Sequence, residues 1–194
     1  MQIQQEQIKS FLIKSGIRGE KDMLDFLDHG KSIAIAKGDY LIREAQTCNN
    51  LYFLHHGAIS IFILENGTEH VKDFSLDNKF ITSYSSFLKG TPSLLYLRAE
   101  QNCFLTKWDK TYLDALISEH ACWMFFAKNM ADYLFMRKEE REISLLIHSA
   151  EERYLNFLKQ YPQAFQAFPQ FIIASYLGVR PQSLSRIRKA LSKK

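Results

Sequence analysis

The sequence predicts an α+β protein in which an antiparallel β-barrel or jelly roll precedes a long helix and a C-terminal helix-turn-helix. Short apolar runs with a period of two fill residues 31–108, and turn residues separate them. The period becomes helical from residue 111 to about residue 146. Two short helices around a glycine-containing turn follow. We therefore expect a barrel domain over 1–110, a dimerisation helix over 111–143 and a helix-turn-helix domain over 144–194.

The composition is that of a globular protein with a substantial core, at 46% hydrophobic and 24% charged residues. No uncharged stretch is long and apolar enough to span a bilayer, and the N-terminus lacks the apolar run of a secretory signal. We expect a soluble, cytoplasmic protein without a membrane partner. Cys48, Cys103 and Cys122 are widely spaced and form no CxxC pair. Buried thiols are therefore favoured over a disulfide framework, an iron–sulfur cluster or a zinc site.

The first 110 residues divide into short elements. Helical spacing of apolar residues predicts helices within 1–30. We expect two strands within 32–42, three within 49–75 and two within 94–108. Lys37-Gly38-Asp39 and Asn66-Gly67 mark turns, and Gly57 separates a further pair of strands. Asn-Gly between alternating apolar runs is a strong hairpin signal, because both residues accept the positive φ of a type I′ turn.

The long helix carries an apolar seam at alternating steps of three and four residues. Its members are Leu116, His120, Trp123, Ala127, Met130 and Leu134. Such a seam either pairs with its copy in a second chain or packs on the protein's own sheet, and the spacing leaves both open. If the seam joins two chains, Trp123→Asp is expected to make the protein monomeric.

Charge is distributed unevenly along the chain. No Asp or Glu follows Glu152, whereas eight Lys and Arg residues do, and residues 1–152 hold 17 basic and 21 acidic residues. A basic C-terminal segment indicates an acidic partner, with nucleic acid as the leading candidate and a solubilising tail as the alternative.

Residues 171–191, FIIASYLGVRPQSLSRIRKAL, have the spacing of a helix-turn-helix. Ala174 is small where two helices approach, Gly178 allows the positive φ of a tight turn, and Pro181 suits a first helical turn. The inward positions of the second helix are Leu184, Ile187 and Leu191. The outward positions are Gln182, Ser183, Ser185, Arg186 and Lys189.

The outward positions suit a helix lying in the major groove of DNA. Arg makes paired hydrogen bonds with guanine, Gln with adenine, and Ser with a base or a phosphate. Lys and Arg at the far end of the helix meet phosphates. A surface αα-hairpin with a basic face is the alternative. The predicted DNA-binding residues are Arg180, Pro181, Gln182, Ser183, Ser185, Arg186, Lys189 and Lys193.

Three segments resemble, in order, the CRP/FNR family of bacterial transcription regulators, typified by the catabolite activator protein and the fumarate–nitrate regulator. KGDYLIREAQTCNNLYFLHHGAISIF resembles the family's first sheet segment, and SFLKGTPSLLYLRAEQNCFLTKWDKTYLDAL resembles its phosphate-binding cassette with the strands that follow. ASYLGVRPQSLSRIRKAL resembles its recognition hairpin. The resemblance covers the chain from about residue 10. It implies a homodimer that reads a palindromic operator through the 181–192 helix, with Pro181, Gln182 and Arg186 at the main base-reading positions.

The effector pocket departs from the family's pattern. Members that bind cyclic nucleotides carry a Gly-Glu pair for the ribose and an Arg-Ser pair for the phosphate. These pairs fall here on Thr82-Ser83 and Ser93-Leu94, without an acid or a base. We expect no bound cofactor and no canonical cyclic AMP binding, and the effector stays open: a Ser-rich loop can bond a neutral ligand or satisfy itself. The degenerate pocket comprises Thr82, Ser83, Tyr84, Ser85, Ser93 and Leu94.

The resemblance implies double-stranded DNA, a second copy of the chain and RNA polymerase as partners. The family's β-hairpin wing is expected to be missing, since the sequence ends about one turn beyond Leu191. His55 and His56 lack partner ligands for a metal. A rival hypothesis is a ligand-binding or protein-interaction module with a degenerate helix-turn-helix. An enzyme is not expected, because no nucleophile elbow, Walker loop or His/Glu metal motif is present.

Overall fold

The computed structural model describes residues 2–191, with side chains described from residue 4 onward. The helices are α1 (Gln2–Lys14), α2 (Glu20–Asp28), α3 (Tyr84–Lys89), α4 (Lys110–Glu119), α5 (Ala121–Ile147), α6 (Ala150–Gln160), α7 (Ala164–Ala167), α8 (Gln170–Tyr176) and α9 (Pro181–Leu191). The strands are β1 (Lys31–Ile35), β2 (Tyr40–Ile42), β3 (Asn50–His56), β4 (Ile59–Glu65), β5 (Thr68–Ser75), β6 (Lys79–Ile81), β7 (Tyr96–Ala99) and β8 (Cys103–Asp109). None of the described helices is both long and apolar enough to cross a membrane.

The strands form two antiparallel sheets, in the orders β1-β8-β3-β6 and β2-β7-β4-β5. The chain crosses from the first sheet to the second at Gly57, whose φ is +113°. A Cβ at this position would lie 2.6 Å from the Cys103 Sγ, so the crossing requires glycine. The two sheets enclose a buried layer that includes Leu54, Ile59 and Leu97. The predicted jelly roll is confirmed.

The central strands are apolar on both faces because both faces are covered. Successive side chains of a strand point to opposite sides, so Leu54 enters the space between the sheets while Phe53 points outward. That outer surface packs against α1, α2, α4 and α5, with Phe26 stacked between Trp108 and Trp123 at ring distances of 4.4 and 4.7 Å. A third apolar cluster covers the outer face of the second sheet with the C-terminal helices.

The turn predictions are confirmed, and three short elements were missed. Asn66 and Gly67 both have positive φ, at 50° and 76°. Residues 84–89, expected within a loop, form the short helix α3, which ends at Gly90 with a left-handed φ of 66°. β6 and α7 are two further short elements that the sequence prediction did not include. Elements of three to six residues are held by their neighbours and carry too few positions for a period to be visible.

The helical region after residue 110 is interrupted, and two residues of its predicted seam are buried in the chain's own core. His120 has extended backbone angles, φ −130° and ψ 114°, and separates α4 from α5. Leu116 and Trp123 are 7% and 1% exposed and belong to the chain's own core, with Met130 packed at its edge. For Leu116 and Trp123 the dimer-seam placement is therefore corrected to the own-core alternative. His120 is exposed and Ala127, Met130 and Leu134 are partly exposed, so their part in a dimer stays a prediction. α5 continues to Ile147, beyond the expected end at residue 143.

The C-terminal helices dock on the same chain's second sheet. A Ser149–Glu152 capping box starts α6 immediately after the break at His148. Phe74 of β5 then makes edge-to-face ring contacts with Phe157, Phe168 and Tyr176, at centroid distances of 5.8, 5.0 and 4.9 Å. The sheet and the helical unit therefore share one apolar core.

Candidate functional site

The two helices α8 and α9 form the helix-turn-helix that the sequence predicts. Ala174 has no exposed surface and lies where the helices meet, while Gly178 in the turn has a φ of +67°. Leu184 is fully buried, and Ile187 and Leu191 pack against the same cluster. These apolar contacts fix the rotation of α9 about its own axis, and so decide which side chains reach solvent.

The face of α9 opposite this core is polar and carries cations. Its exposed residues include Gln182, Ser185, Arg186 and Lys189, with Arg180 and Pro181 exposed at its start. Ser183 is partly buried and accepts a hydrogen bond from an Arg186 terminal nitrogen at 3.3 Å. The structure thus places seven of the eight predicted DNA-binding residues on α9 and its leading turn, and six of the seven are exposed. The eighth, Lys193, lies outside the described residues.

Two contacts orient the recognition face. Gln170, the first residue of α8, donates to the Ser185 Oγ at 2.6 Å. The guanidinium of Arg188 lies 5.0 Å from the centroid of the Phe165 ring. Arg188 also lines a groove against α6, which Ser185 and Lys189 border as well. Arg186 and Arg188 therefore differ by two positions in sequence but point to different surroundings.

Three polar side chains of the predicted effector pocket form hydrogen bonds within the loop and with neighbouring strands. The Ser83 and Ser93 hydroxyls are 2.7 Å apart, and the Ser93 Oγ also contacts both backbone polar groups of Leu95, at 3.0 and 2.9 Å. Thr82 Oγ1 donates to the Asn50 carbonyl at 3.0 Å and lies 3.2 Å from the Cys48 Sγ. The remaining predicted positions, Tyr84, Ser85 and Leu94, are exposed. Ser83 and Ser93 therefore stabilise the loop through internal hydrogen bonds.

The guanidinium of Arg98 in β7 is paired with two carboxylates. Arg98 of β7 pairs with Glu69 through both terminal nitrogens and with Glu100 through Nε at 2.9 Å. Glu100 in turn accepts from the Ser60 hydroxyl at 2.6 Å. Burial alone would lower the pKa of Arg98, but its hydrogen bonds to the two carboxylates raise it above the ordinary value. Arg98 is therefore a permanent cation that already has its counter-ions.

A stripe of exposed apolar residues on the outer face of α5, interrupted by Lys128, Asp132 and Glu139, was missed by the sequence reasoning. Its members are Met124, Phe125, Phe135, Met136, Ile143, Leu146 and Ile147, with exposed fractions from 47% at Ile143 to 83% at Leu146. Positions 125, 136, 143 and 147 follow steps close to whole turns of helix. α5 has apolar residues on both faces, and that doubled pattern was the signal available in the sequence.

The described residues contain no group of three or more His, Cys, Asp or Glu side chains placed to hold a metal ion. His55 is buried and occupied by hydrogen bonds to Gln7 and to the Thr106 hydroxyl, at 2.9 and 2.8 Å. Burial lowers the pKa of His55 from its ordinary value to about 4. The three cysteines are free, and two of them are buried.

Comparison with known proteins gives one domain family and many similar folds. Residues 32–120 match the model of the cyclic nucleotide-binding domain. No curated protein matches the chain in sequence. FixK2 from Bradyrhizobium japonicum superposes with a TM-score of 0.75 at 17% identity, covering 84% of this chain and 85% of that one.

Two further solved structures have the same arrangement of elements. The c-di-GMP responsive global regulator CLP from Xanthomonas campestris has a TM-score of 0.69 at 17% identity, covering 90% of this chain and 92% of that one. The catabolite activator protein from Thermus thermophilus has a TM-score of 0.56 at 18% identity, covering 90% and 84% of the two chains. At these identities the likeness establishes the fold, including the C-terminal helices beyond the matched domain.

Proposed function

We propose that this protein is a DNA-binding transcription regulator, since residues 32–120 match the cyclic nucleotide-binding domain and the whole fold is similar to that of FixK2 and CLP. The observation that carries the proposal is the exposed face of α9. Gln182, Ser185 and Arg186 stand side by side on a helix whose other face is held by Leu184. A rigid helix presenting Arg and Gln is what base reading in the major groove requires.

The charge of the unit supports the same partner. No acidic residue follows Glu152, so the recognition face has no carboxylate neighbour in sequence to repel a phosphate backbone. Arg180 at the turn and Lys189 on the helix are exposed at the two ends of this face. We assign them to phosphate contacts, which position the helix without reading sequence.

A homodimer is part of the proposal, and the exposed stripe of α5 supports it. Isolated exposed apolar residues are common, but seven large ones on one side of a single helix are not, even with Lys128, Asp132 and Glu139 between them. A second copy of the chain is the occupant that fits best, because two-fold pairing of α5 with itself buries the stripe on both chains at once. It also doubles the number of recognition helices on one operator.

We further propose that the effector, where there is one, is not bound as cyclic AMP is in the nucleotide-binding members. The pocket hydroxyls of Ser83 and Ser93 bond each other, and Arg98 is neutralised by Glu69 and Glu100. A cyclic phosphate would find no unpaired cation among these residues. Titration with cyclic AMP is expected to leave both the melting temperature and DNA affinity unchanged. A saturable shift in either would overturn this part of the proposal.

The first experiment selects binding sites from a random duplex library and then compares two arginine variants. The enriched sequences are expected to be inverted repeats with half-sites about one helical turn apart. On such a site Arg186→Ala should weaken binding by about 1 to 3 kcal/mol and relax selectivity at one base pair. Arg188→Ala removes the same charge from the side chain over Phe165, and should leave selectivity unchanged.

The salt dependence of affinity separates base reading from phosphate contact. The Arg180→Ala variant should lower the slope of log affinity against log salt by about one unit, with weakening that is uniform across sequences. If Arg186→Ala and Arg188→Ala changed DNA affinity and base selectivity equally, the proposal that α9 reads bases through Arg186 would be wrong. Absence of any enriched sequence and of any salt-dependent binding would favour the rival hypothesis of a protein-interaction module.

A further inference from the structure

A cleft of about 80 Å³ lies where α5 passes α6 and the end of α8. We call it the arginine cleft, because its lining includes Arg137, Arg141 and Arg153. One wall is the helix that packs on the β-sheets, and the other belongs to the helix-turn-helix unit. The recognition face of α9 and the serine-lined pocket near α3 contribute none of its lining residues.

Two of the three guanidiniums hold buried donors without an acceptor. The Nε atoms of Arg137 and Arg141 are buried and have no hydrogen-bond partner among the described residues. Their terminal nitrogens are engaged: Arg137 donates to Asp73 Oδ1 at 2.7 Å, and Arg141 donates to the Tyr176 carbonyl at 3.0 Å. A buried N–H on a charged group is costly unless an acceptor reaches it.

The guanidiniums of Arg141 and Arg153 both form hydrogen bonds with the end of α8. Arg141 donates to the carbonyl of Tyr176, and Arg153 donates to the carbonyl of the next residue, Leu177, at 2.9 Å. Arginines from α5 and α6 are therefore bonded to two consecutive carbonyls. This arrangement fixes both side chains beside one another at the junction of the two units.

The lining has more positive than negative charge. Asp73 forms an ion pair with Arg137, and among the lining residues Glu140 is the one carboxylate opposite three guanidiniums. Burial alone would lower the pKa of Arg137, but the neighbouring Asp73 raises it above the ordinary value, so the cation persists. The volume of about 80 Å³ exceeds the roughly 10–15 Å³ that one water needs.

We propose that the arginine cleft binds a small phosphate-bearing molecule. A tetrahedral dianion accepts hydrogen bonds from several directions, and guanidinium groups match its oxygens in pairs. The bound group would supply acceptors to the walls contributed by α5 and by α6, and so would hold the helix-turn-helix unit against the sheet. This binding does not depend on the proposed DNA function and is measured without DNA.

The test is isothermal titration calorimetry of the intact protein with inorganic phosphate, at constant ionic strength set with chloride. A second titration with adenosine monophosphate distinguishes free phosphate from a nucleotide as the source of the group. Saturable binding of at least one of them is expected. Arg141→Gln should weaken it by about tenfold, because one charge-assisted hydrogen-bond donor is lost.

A second pair of variants keeps the test valid if the arginine variant does not fold. Asn156 lines the cleft and is exposed, so Asn156→Glu adds a repelling carboxylate while leaving all three arginines in place. It should weaken phosphate binding by about tenfold or more. Gln166→Glu makes the same charge change on α7, outside the cleft, and should leave binding intact.

Three outcomes would overturn the proposal. The first is the absence of saturable heat with both phosphate and adenosine monophosphate, which would leave water as the acceptor of the buried N–H groups. The second is an Asn156→Glu variant that binds as tightly as the wild type. The third is displacement of bound phosphate by duplex DNA, which would assign the cleft to the DNA interface instead of to a small molecule.

Discussion

The hydroxyl of Ser175 accepts a hydrogen bond from the backbone N–H of Val71 at 2.9 Å and donates to the carbonyl of Glu69 at 3.1 Å. Ser175 belongs to the first helix of the helix-turn-helix, and Val71 belongs to β5, the edge strand of the second sheet. One side chain of the helix-turn-helix unit therefore occupies backbone groups that a further strand would otherwise pair. This contact protects the sheet edge and fixes how the two units sit together.

Removing this contact should destabilise the protein. In Ser175→Ala both backbone groups of β5 lose their partner, and a loss of about 1 to 3 kcal/mol in the free energy of unfolding is expected. Urea unfolding followed by circular dichroism measures it. Ser185→Ala is the matched control, because that exposed hydroxyl accepts from Gln170 on the surface, and it should change stability by less than about 0.5 kcal/mol. Equal losses in the two variants would contradict the role of the edge contact.

The outer stripe of α5 predicts which substitution separates a dimer without unfolding the chain. Phe135 is 64% exposed, so Phe135→Asp should give a folded monomer by sedimentation velocity. Trp123 is 1% exposed and stacks on Phe26. Trp123→Asp should therefore unfold the protein and lose the native circular dichroism spectrum. This prediction replaces the earlier expectation that the variant is monomeric.

A control for the stripe is Lys138→Asp, whose side chain pairs along α5 with Glu142. It should stay folded and keep the wild-type sedimentation coefficient. A Phe135→Asp protein that sediments with the mass of a dimer would place the subunit contact elsewhere.

Two glycines with nearly the same φ allow a matched test of the turn. Gly178 and Gly90 have φ of +67° and +66°. A Cβ at Gly178 would lie 2.9 Å from a terminal methyl of Leu145, whereas a Cβ at Gly90 would meet nothing within 4 Å. Alanine at either position should cost about 1 to 2 kcal/mol, because the left-handed conformation is unfavourable with a side chain.

The difference between the two alanine variants reports the contact with Leu145. Thermal unfolding should show a somewhat greater loss for Gly178→Ala, with only a small excess because the Leu145 methyl group can move aside. A much larger loss at Gly178 would show that α5 and the turn are packed too rigidly to adjust.

His55 should make stability depend on pH. Its pKa is lowered by burial to about 4 in the folded protein, so the unfolded chain binds more protons between pH 4 and the ordinary value near 6.5. Stability should fall as pH decreases from 6.5 towards 4, by at most about 3 kcal/mol from this group. Urea unfolding at several pH values should show a flatter dependence for His55→Gln. An unchanged slope would mean that other groups control acid unfolding.

The sequence by itself was sufficient for the order of the barrel, the long helix and the helix-turn-helix. Turn residues such as Asn66-Gly67 have local conformational preferences, and the amphipathic pattern of α9 sets its inward residues Leu184, Ile187 and Leu191. Both signals act within a few residues of chain, so they do not depend on what surrounds them. The same locality explains why seven of the eight predicted DNA-binding residues lie on or beside α9, and why their role in binding stays a prediction.

The tertiary structure decided what each surface faces. α5 is apolar on two sides, and its sequence alone could not tell the side that packs on Phe26 from the side left exposed at Phe135. Arg141 and Arg153 are twelve positions apart, and both donate to carbonyls at the end of α8, those of Tyr176 and Leu177. Burial depends on which distant segments of the chain pack against a surface. The local spacing of residues along one helix does not determine those contacts.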